Sequence, residues 1–431
     1  MIREQRRSRP DRVRLVTLLV MLGVTTAACG AAGAAPDAGR AVELVYFGDP
    51  VEAAGYESLV ASFEAAHPGT DVQTSPVASK ADLLARLTTR FAAGDPPDVF
   101  LLNYREYAQF AAEGVLAEVQ PFLDSSDLRE DDFFDLPLDA FRFDGTTLTC
   151  MPQNVSSLVA YVNLDLLAAD GVDVPEARWT WDDLVVAATR ITDPASGTYG
   201  VGTAVSLPRL APFVWSNGGS VVDDDVAPRR LTLDQPASRE ALDFFLDLSL
   251  VHHVTPPSAA EESLDTFSRF LNGGIGFYLD SRRVVPTILE SVDFSWTAVP
   301  LPVAPGGEPA SILHADAYCI AADGDVVGAW ELVRYAMSAD GQQIVAATGR
   351  IVPSRRDVAS SATFRDSAPP GVSETFLDNT TIVRATPHVA AWPQLEKVAD
   401  DVLTEMFYGR LSRQDGLRRL QDESARLLGS P

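Results

Sequence analysis

"VELVYFGDPVEAAGYESLVASFEAAHPGTDVQTSPV", residues 42–77, changes its hydrophobic period twice. Residues 42–48 form a short apolar run rich in β-branched and aromatic side chains, which predicts a buried strand. Residues 56–69 carry apolar side chains at helical spacing and stop at Pro68-Gly69, and "TDVQTSPV" is extended again. The alternation continues in "KADLLARLTTRFAAG" (80–94), an amphipathic helix ending at glycine, and in "PPDVFLLN" (96–103), a second buried strand. Strand, helix, strand, helix, strand predicts a mostly parallel sheet covered on both faces. Ligands of such sheets collect at the C-terminal ends of the strands, which points to "FGDP" (47–50) and "LNYRE" (102–106).

The chain has 431 residues, too many for one ordinary domain, and a hydrophobic content of 46%, enough for two cores. Two lobes are therefore expected. Further helices are predicted at "TWDDLVVAATRITDP" (180–194), capped by Thr180 with Asp182 or Asp183, and at "SREALDFFLDLSLVHH" (238–253) and "AWELVRYAMSADGQQIVAATG" (329–349). A last helical pair runs from about 389 to 427. The sequence holds no zinc-type Cys/His spacing, no HExxH, no GxSxG, no GxxxxGK[ST] and no repeat of 20 to 50 residues, so no metal, cofactor or catalytic motif is expected. His252 and His253 sit at a helix end and face different ways, and Asp223-Asp224-Asp225 reads as a solvated loop.

The N-terminus, "MIREQRRSRPDRVR", is rich in arginine and runs through "LVTLLVMLGVTTAAC" into Cys29. That order predicts a signal peptide, since the apolar part is too short and too soon followed by Gly/Ala/Pro-rich sequence to span a bilayer of about 30 Å. Cys29 directly after Ala27 and Ala28 resembles a bacterial lipobox, with Thr26 where leucine is usual, and implies a lipid-modified N-terminus. Cleavage before Cys29 removes a net charge of +4 and takes the chain from −26 to −30. Nucleic acid and anionic lipid, which bind through Lys/Arg clusters, are poor partners for such a chain. Cys150 and Cys319 in an exported protein are either a disulfide or two buried thiols.

Nine stretches carry a resemblance. In order, "FEAAHPGTDV", "LTTRFAAGDPPDVFLL", "AAEGVLAEV", "FDGTTLTCMPQNVSSLVAYVNLDLL", "TWDDLVVAATRIT", "WSNGGSVV", "ALDFFLDL", "FLNGGIGFYLDS" and "AMSADGQQIVAATGRIVPSR" resemble signature stretches of the family 1 extracellular solute-binding proteins, the maltose-binding-protein-like receptors of ABC sugar importers. The resemblance implies an α/β, two-lobed periplasmic-binding-protein fold of type II with hinge-joined lobes. It implies a signal peptide at 1–28, a tether at 29–40, an N-terminal lobe from 41–150 plus 317–356, and a C-terminal lobe from 151–316 plus 357–431. Cys150 and Cys319 then fall on strands at the lobe junction, where a disulfide would tie down the hinge. The implied protein is a monomer on the extracytoplasmic face of the cell membrane, lipid-anchored, which binds a mono- or oligosaccharide between its lobes and delivers it to ABC permease subunits.

A sugar presents hydroxyls and a weakly apolar ring face, so its receptor needs planar polar side chains and an aromatic platform. Asp49, Asn103, Tyr104 and Arg105 stand at the strand ends of the first lobe, and the register against maltose-binding protein puts Arg105 where that family carries a sugar-binding aspartate. In the second lobe the resemblance selects Trp215, Asp280, Arg283 and Trp392, with Trp392 as the stacking ring and Arg283 near the place of a stacking tryptophan. Asn154, Asp316 and Arg350 complete the set at the hinge. Arg105, Arg282, Arg283 and Arg350 keep open a receptor for another solute, a polyol, a phosphorylated sugar or a glycerophosphodiester. The rival from another class is an exported carbohydrate-active enzyme with Asp49 and Asp280 as its carboxylate pair.

Overall fold

A computed structural model describes residues 41–143 and 145–429, so the signal-peptide, Cys29 and tether readings lie outside the described residues. The strands are β1 (Val42–Phe47), β2 (Val72–Val77), β3 (Val99–Asn103), β4 (Cys150–Pro152), β5 (Leu158–Asn163), β6 (Tyr199–Thr203), β7 (Ile275–Ser281), β8 (Trp296–Val299), β9 (Ser311–Ile312), β10 (Asp316–Ile320) and β11 (Val383–Arg384). Helices α1 (Pro50–Ala66), α2 (Lys80–Ala93) and α3 (Tyr104–Ala112) follow β1, β2 and β3 in turn. Local chemistry sets their ends. Asp49 accepts from the Glu52 amide at 3.0 Å to cap α1, Ser79 caps α2, and Gly94 closes α2 at φ 70°, where only glycine is unstrained.

Two large sheets result, one per lobe, beside a small parallel pair of β9 and β11. The first has the order β2-β1-β3-β10-β4, with β1 parallel to both neighbours and β10 antiparallel to β3 and β4. The second has the order β6-β7-β5-β8, with β6 parallel to β7 and β5 antiparallel to β7 and β8. A parallel first sheet is thus found for β1 to β3, while the later strands return antiparallel. The six residues of β5 show why the second sheet is buried twice over. Leu158, Ala160 and Val162 join one core, with Trp392 and Phe245; Val159 and Tyr161 on the other face join the core that continues to Leu101 and Cys319.

Cys150 and Cys319 face each other across β4 and β10 and form a disulfide with a Cα–Cα distance of 4.4 Å. The bond lies inside the first sheet, so it fastens the strand pair from which the chain departs toward the second. That departure runs from Pro152 to Leu158, and the return runs from Ile312 to Asp316. The two crossings are laced together: Ser156 and His314 exchange backbone hydrogen bonds at 2.9 Å, and the Asn154 side chain donates to the His314 carbonyl at 2.8 Å and accepts from the Asp316 amide at 2.9 Å. A third passage joins them where the Val155 amide donates to the Val352 carbonyl at 2.9 Å. Beyond it, the short helices Arg356–Ala359 and Ala362–Arg365 pack on the Ala339–Ala346 helix, and Val372–Asn379 packs on β8.

Candidate functional site

The C-terminal ends of β1, β3 and β6 open on one cavity of about 240 Å³, enclosed between the two sheets and floored by the crossings. From the first lobe it receives Phe47 at the end of β1, Glu52 in the first turn of α1, Lys80 at the start of α2, Asn103 and Arg105 at the β3–α3 junction, Asp316 at the start of β10, and Arg350 with Ile351. The crossings contribute Asn154, Ser156 and His314. From the second lobe come Ala204, Ser206, Pro208 and Arg209 between β6 and the Leu207–Ser216 helix, Ser281 and Arg283 after β7, and Glu396 and Asp400 on the Trp392–Phe407 helix. The two strand ends named from the sequence, 47–50 and 102–106, contribute Phe47, Asn103 and Arg105 to this lining.

Of the residues singled out in the sequence, Asn103, Arg105, Asn154, Arg283, Asp316 and Arg350 line this cavity together. Asn103 donates to Asp316 Oδ1 at 3.0 Å and accepts from the Arg105 amide at 3.2 Å, so the β3–α3 turn and β10 are locked to each other at the rim. Arg105 is only 6% exposed, pairs with Glu396 of the opposite lobe at 3.3 Å, and leaves Nη1 without a hydrogen-bond partner. Arg350 pairs with Asp49 and Glu52 on its own lobe and donates to the Arg283 carbonyl of the other at 3.1 Å.

Six of the residues singled out in the sequence lie outside this lining. Trp392 is not a stacking platform: it is 0% exposed in the second core, because it opens its helix with the ring turned inward, and only its indole N–H reaches toward the cavity, donating to Glu396 at 3.0 Å. Trp215 ends the Leu207–Ser216 helix in the same core, with the Arg384 guanidinium 5.0 Å from its ring. Tyr104 is fully buried and its hydroxyl meets Thr386 Oγ1 at 3.1 Å. Asp49 stands behind Arg350, spent on capping α1 and on that ion pair. Asp280 stands behind Arg209, bonded to it at 2.6 Å and accepting from the Tyr278 hydroxyl at 2.6 Å. In both last cases the acid is a holder and the arginine faces the cavity. Arg282 lies outside the cavity as well, 0% exposed, with its guanidinium 4.3 Å from the Phe364 ring.

The residues that sequence reasoning missed are Phe47, Glu52, Lys80, Ser156, Ala204, Ser206, Pro208, Arg209, Ser281, His314, Ile351, Glu396 and Asp400. Some had a signal. Glu396 and Asp400 follow Trp392 at one and two helical turns, so they share its stripe while reaching farther toward the rim. Ser206 before Leu207-Pro208, straight after the strand "YGVGT", is a helix-start signature at a strand end.

Electrostatics in the cavity is that of charges withdrawn from water. Burial pushes Glu52 up to about 7 despite Arg350, with Asp316 and Asp49 adding to the rise. Burial likewise raises Asp400 to about 7, although its carboxylate accepts from the Leu207 amide at 2.7 Å. Asp316 is raised by burial too. Asp280 behaves oppositely: burial acts to raise it, but Arg209, the Tyr278 hydroxyl and the Ser281 amide together hold it below the usual carboxylate range. His314 is driven well below its ordinary value by burial and by Arg105, Arg209, Arg283 and Lys80, so it is a neutral imidazole. Its Nε2 lies 3.4 Å from Arg209 Nη1, which can only donate, so Nε2 accepts and the ring proton sits on Nδ1.

The arrangement can hold hydroxyls and charged groups from two sides, and among the described residues no group of three or more His, Cys, Asp or Glu could hold a metal ion. Residues 48–343 match the profile of the bacterial extracellular solute-binding protein family. A putative ABC transporter periplasmic-binding protein of Escherichia coli, YcjN, is 26% identical over 54% of this chain and 54% of its own length, so the chain matches about half of that relative. Among solved structures, an ABC substrate-binding protein of Listeria monocytogenes in complex with cycloalternan superposes with a TM-score of 0.83 at 22% identity, covering 90% of this chain and 99% of that one. UgpB from Mycobacterium tuberculosis in complex with glycerophosphocholine superposes with a TM-score of 0.80 at 18% identity, covering 91% and 99%. At these identities the structures show a shared fold.

Proposed function

The chain belongs to the bacterial extracellular solute-binding proteins, and on that premise we propose that it is the receptor of an ABC importer, binding a mono- or oligosaccharide between its lobes. The observation that carries the reading is the cavity itself, lined from both sheets and floored by the laced crossings. A ligand that touches both lobes stabilises the closed arrangement over the open one, and that difference is all the mechanism needs. The units built on the first sheet, which includes β4 and β10, and on the second sheet, β6-β7-β5-β8, serve as the two closing bodies. A cavity of about 240 Å³ is small beside the roughly 300–1,000 Å³ of common ligand sites, which favours a monosaccharide over a long chain. The binding set is Asn103, Arg105, Asn154, Asp316 and Arg350 with Arg209, Ser281, Arg283 and Glu396. Asp49 and Asp280 sit in ion pairs behind the cavity, which speaks against their use as a hydrolytic pair. Cys29 anchors the receptor to the extracytoplasmic face of the membrane, where it hands its solute to the permease; no described helix is long and apolar enough to cross a membrane.

Calorimetric titration with neutral and substituted sugars tests this. One ligand per chain, recovered intact, with affinity at least tenfold weaker in Asp316→Ala, is expected, since a hydrogen bond to a charged group contributes about 1.5–3 kcal/mol. Consumption of the sugar, or binding indifferent to that substitution, contradicts it.

A further inference from the structure

The cavity is furnished for a negative charge. Of its lining residues only Phe47 and the His314 imidazole are aromatic, whereas five are cationic: Lys80, Arg105, Arg209, Arg283 and Arg350. Lys80 and Arg350 are engaged by acids of their own lobe, Glu106 for the one and Asp49 with Glu52 for the other. Of the remaining three, Arg105 pairs with Glu396 and Arg209 with Asp280, each keeping a nitrogen without a hydrogen-bond partner, and Arg283 has no acid partner among the described residues. Arg105 is buried with Nη1 lacking any hydrogen-bond partner, Arg209 has spent its terminal nitrogens on Asp280 and His314 but leaves Nε unpartnered, and Arg283 is exposed to the cavity and forms no ion pair among the described residues. A guanidinium withdrawn from water with open donors is costly unless a ligand supplies acceptors.

A second feature converges on the same place. The ten-residue Leu207–Ser216 helix starts at the cavity wall, where Ser206, Pro208 and Arg209 line the space; its N-cap Ser206 makes no capping bond with its side chain, and its first amide, Leu207, already donates to the Asp400 carboxylate at 2.7 Å. A helix N-terminus favours negative charge, and here it stands beside Arg209. Of the four acids that share the cavity, burial holds Glu52 and Asp400 at about 7, which weakens their opposition to an anion, and Glu396 is paired with Arg105.

We propose that the solute is an acidic sugar of monosaccharide size, whose carboxylate or phosphate is received by Arg105, Arg209 and Arg283 at the N-terminus of the Leu207–Ser216 helix. This rests on the receptor reading. The hydroxyls of the same solute fall to Asn103, Asp316 and Asn154 on the opposite wall and floor.

The test is calorimetric titration of the full chain with matched sets: glucose and galactose, their uronates, and their 6-phosphates. Acidic members are expected to bind at least about tenfold tighter than the neutral parents, and Arg283→Gln, at an exposed position without an ion-pair partner, is expected to cut that advantage about tenfold while leaving the melting temperature unchanged. Preference for uronates alone or phosphates alone supports the inference and identifies the charged group. Neutral parents binding as tightly as the acids, or an acid advantage untouched in Arg283→Gln, overturns the inference and leaves the receptor reading standing. Binding by no sugar, neutral or acidic, overturns both.

Discussion

Glu52 is the side chain whose charge state is most exposed to test. Its carboxyl is buried beside Arg350, yet burial wins, and Asp316 and Asp49 nearby add to the rise to about 7 from an ordinary 4.5. A carboxyl that binds its proton more tightly when folded favours the folded state below its unfolded value, and that contribution disappears as pH climbs from about 4.5 to about 7. Glu52→Gln, which stays neutral, is therefore expected to gain in melting temperature relative to the wild type across that interval; a difference that is flat in pH contradicts the assignment. Trp392 gives a second expectation. As a core residue rather than a ring in the cavity, Trp392→Ala should cost about 3–5 kcal/mol in urea unfolding, while Trp392→Phe, which keeps an aromatic in the core and loses the bond to Glu396, should cost less than half as much. A Trp392→Ala protein of unchanged stability would put the ring back at the surface.

Among the elements, β6 and the disulfide pair are two places where the geometry is tight. Gly200 in β6 lies against the backbone of Ala188 in the Trp181–Ile191 helix, so any Cβ there meets main-chain atoms that cannot move aside. Gly200→Ala should destabilise by about 1–3 kcal/mol, measured by chemical unfolding, and unchanged stability contradicts the close packing of β6 on that helix. The Cys150–Cys319 bond closes a loop with a sequence separation of 169, and replacing both residues with alanine is expected to cost about 2–5 kcal/mol, again in unfolding, with ligand affinity little changed because neither sulfur lines the cavity. The elements themselves were largely legible: β1, α1, β2, α2 and β3 follow the change of period in residues 42–103, and Thr180 with Asp183 does form the capping box expected. What was not legible is direction and partner. An apolar run such as "DAYCI" announces a strand, but nothing within it says that it will insert antiparallel beside β3, whose Asn103 is 213 residues away from Asp316.

The whole molecule combines a net charge of −26 with a cavity fringed by arginine, and that contrast explains both what the sequence conveyed about the site and what it hid. Strand ends point to a rim and select Asn103 and Arg105, while Arg283, Asp316 and Arg350 come from the family resemblance, and all five line the cavity. Which member of an ion pair faces the solute depends on the lobe opposite. Asp280 is therefore selected in place of Arg209, which it holds, Asp49 is selected beside Arg350, and Glu396 stays hidden until the Trp392–Phe407 helix is set against α3. The arrangement of two sheets about one polar cavity is meaningful only if a small solute closes on both. The direct measurement is the unfolding midpoint of the full chain at rising concentrations of the neutral and acidic sugars, with the sugar recovered afterwards. A ligand that binds the folded chain alone should raise stability by about 2.7 kcal/mol at a hundredfold excess over its Kd and come back unaltered. A midpoint that stays fixed with every sugar, or a sugar returned cleaved, would contradict the receptor account.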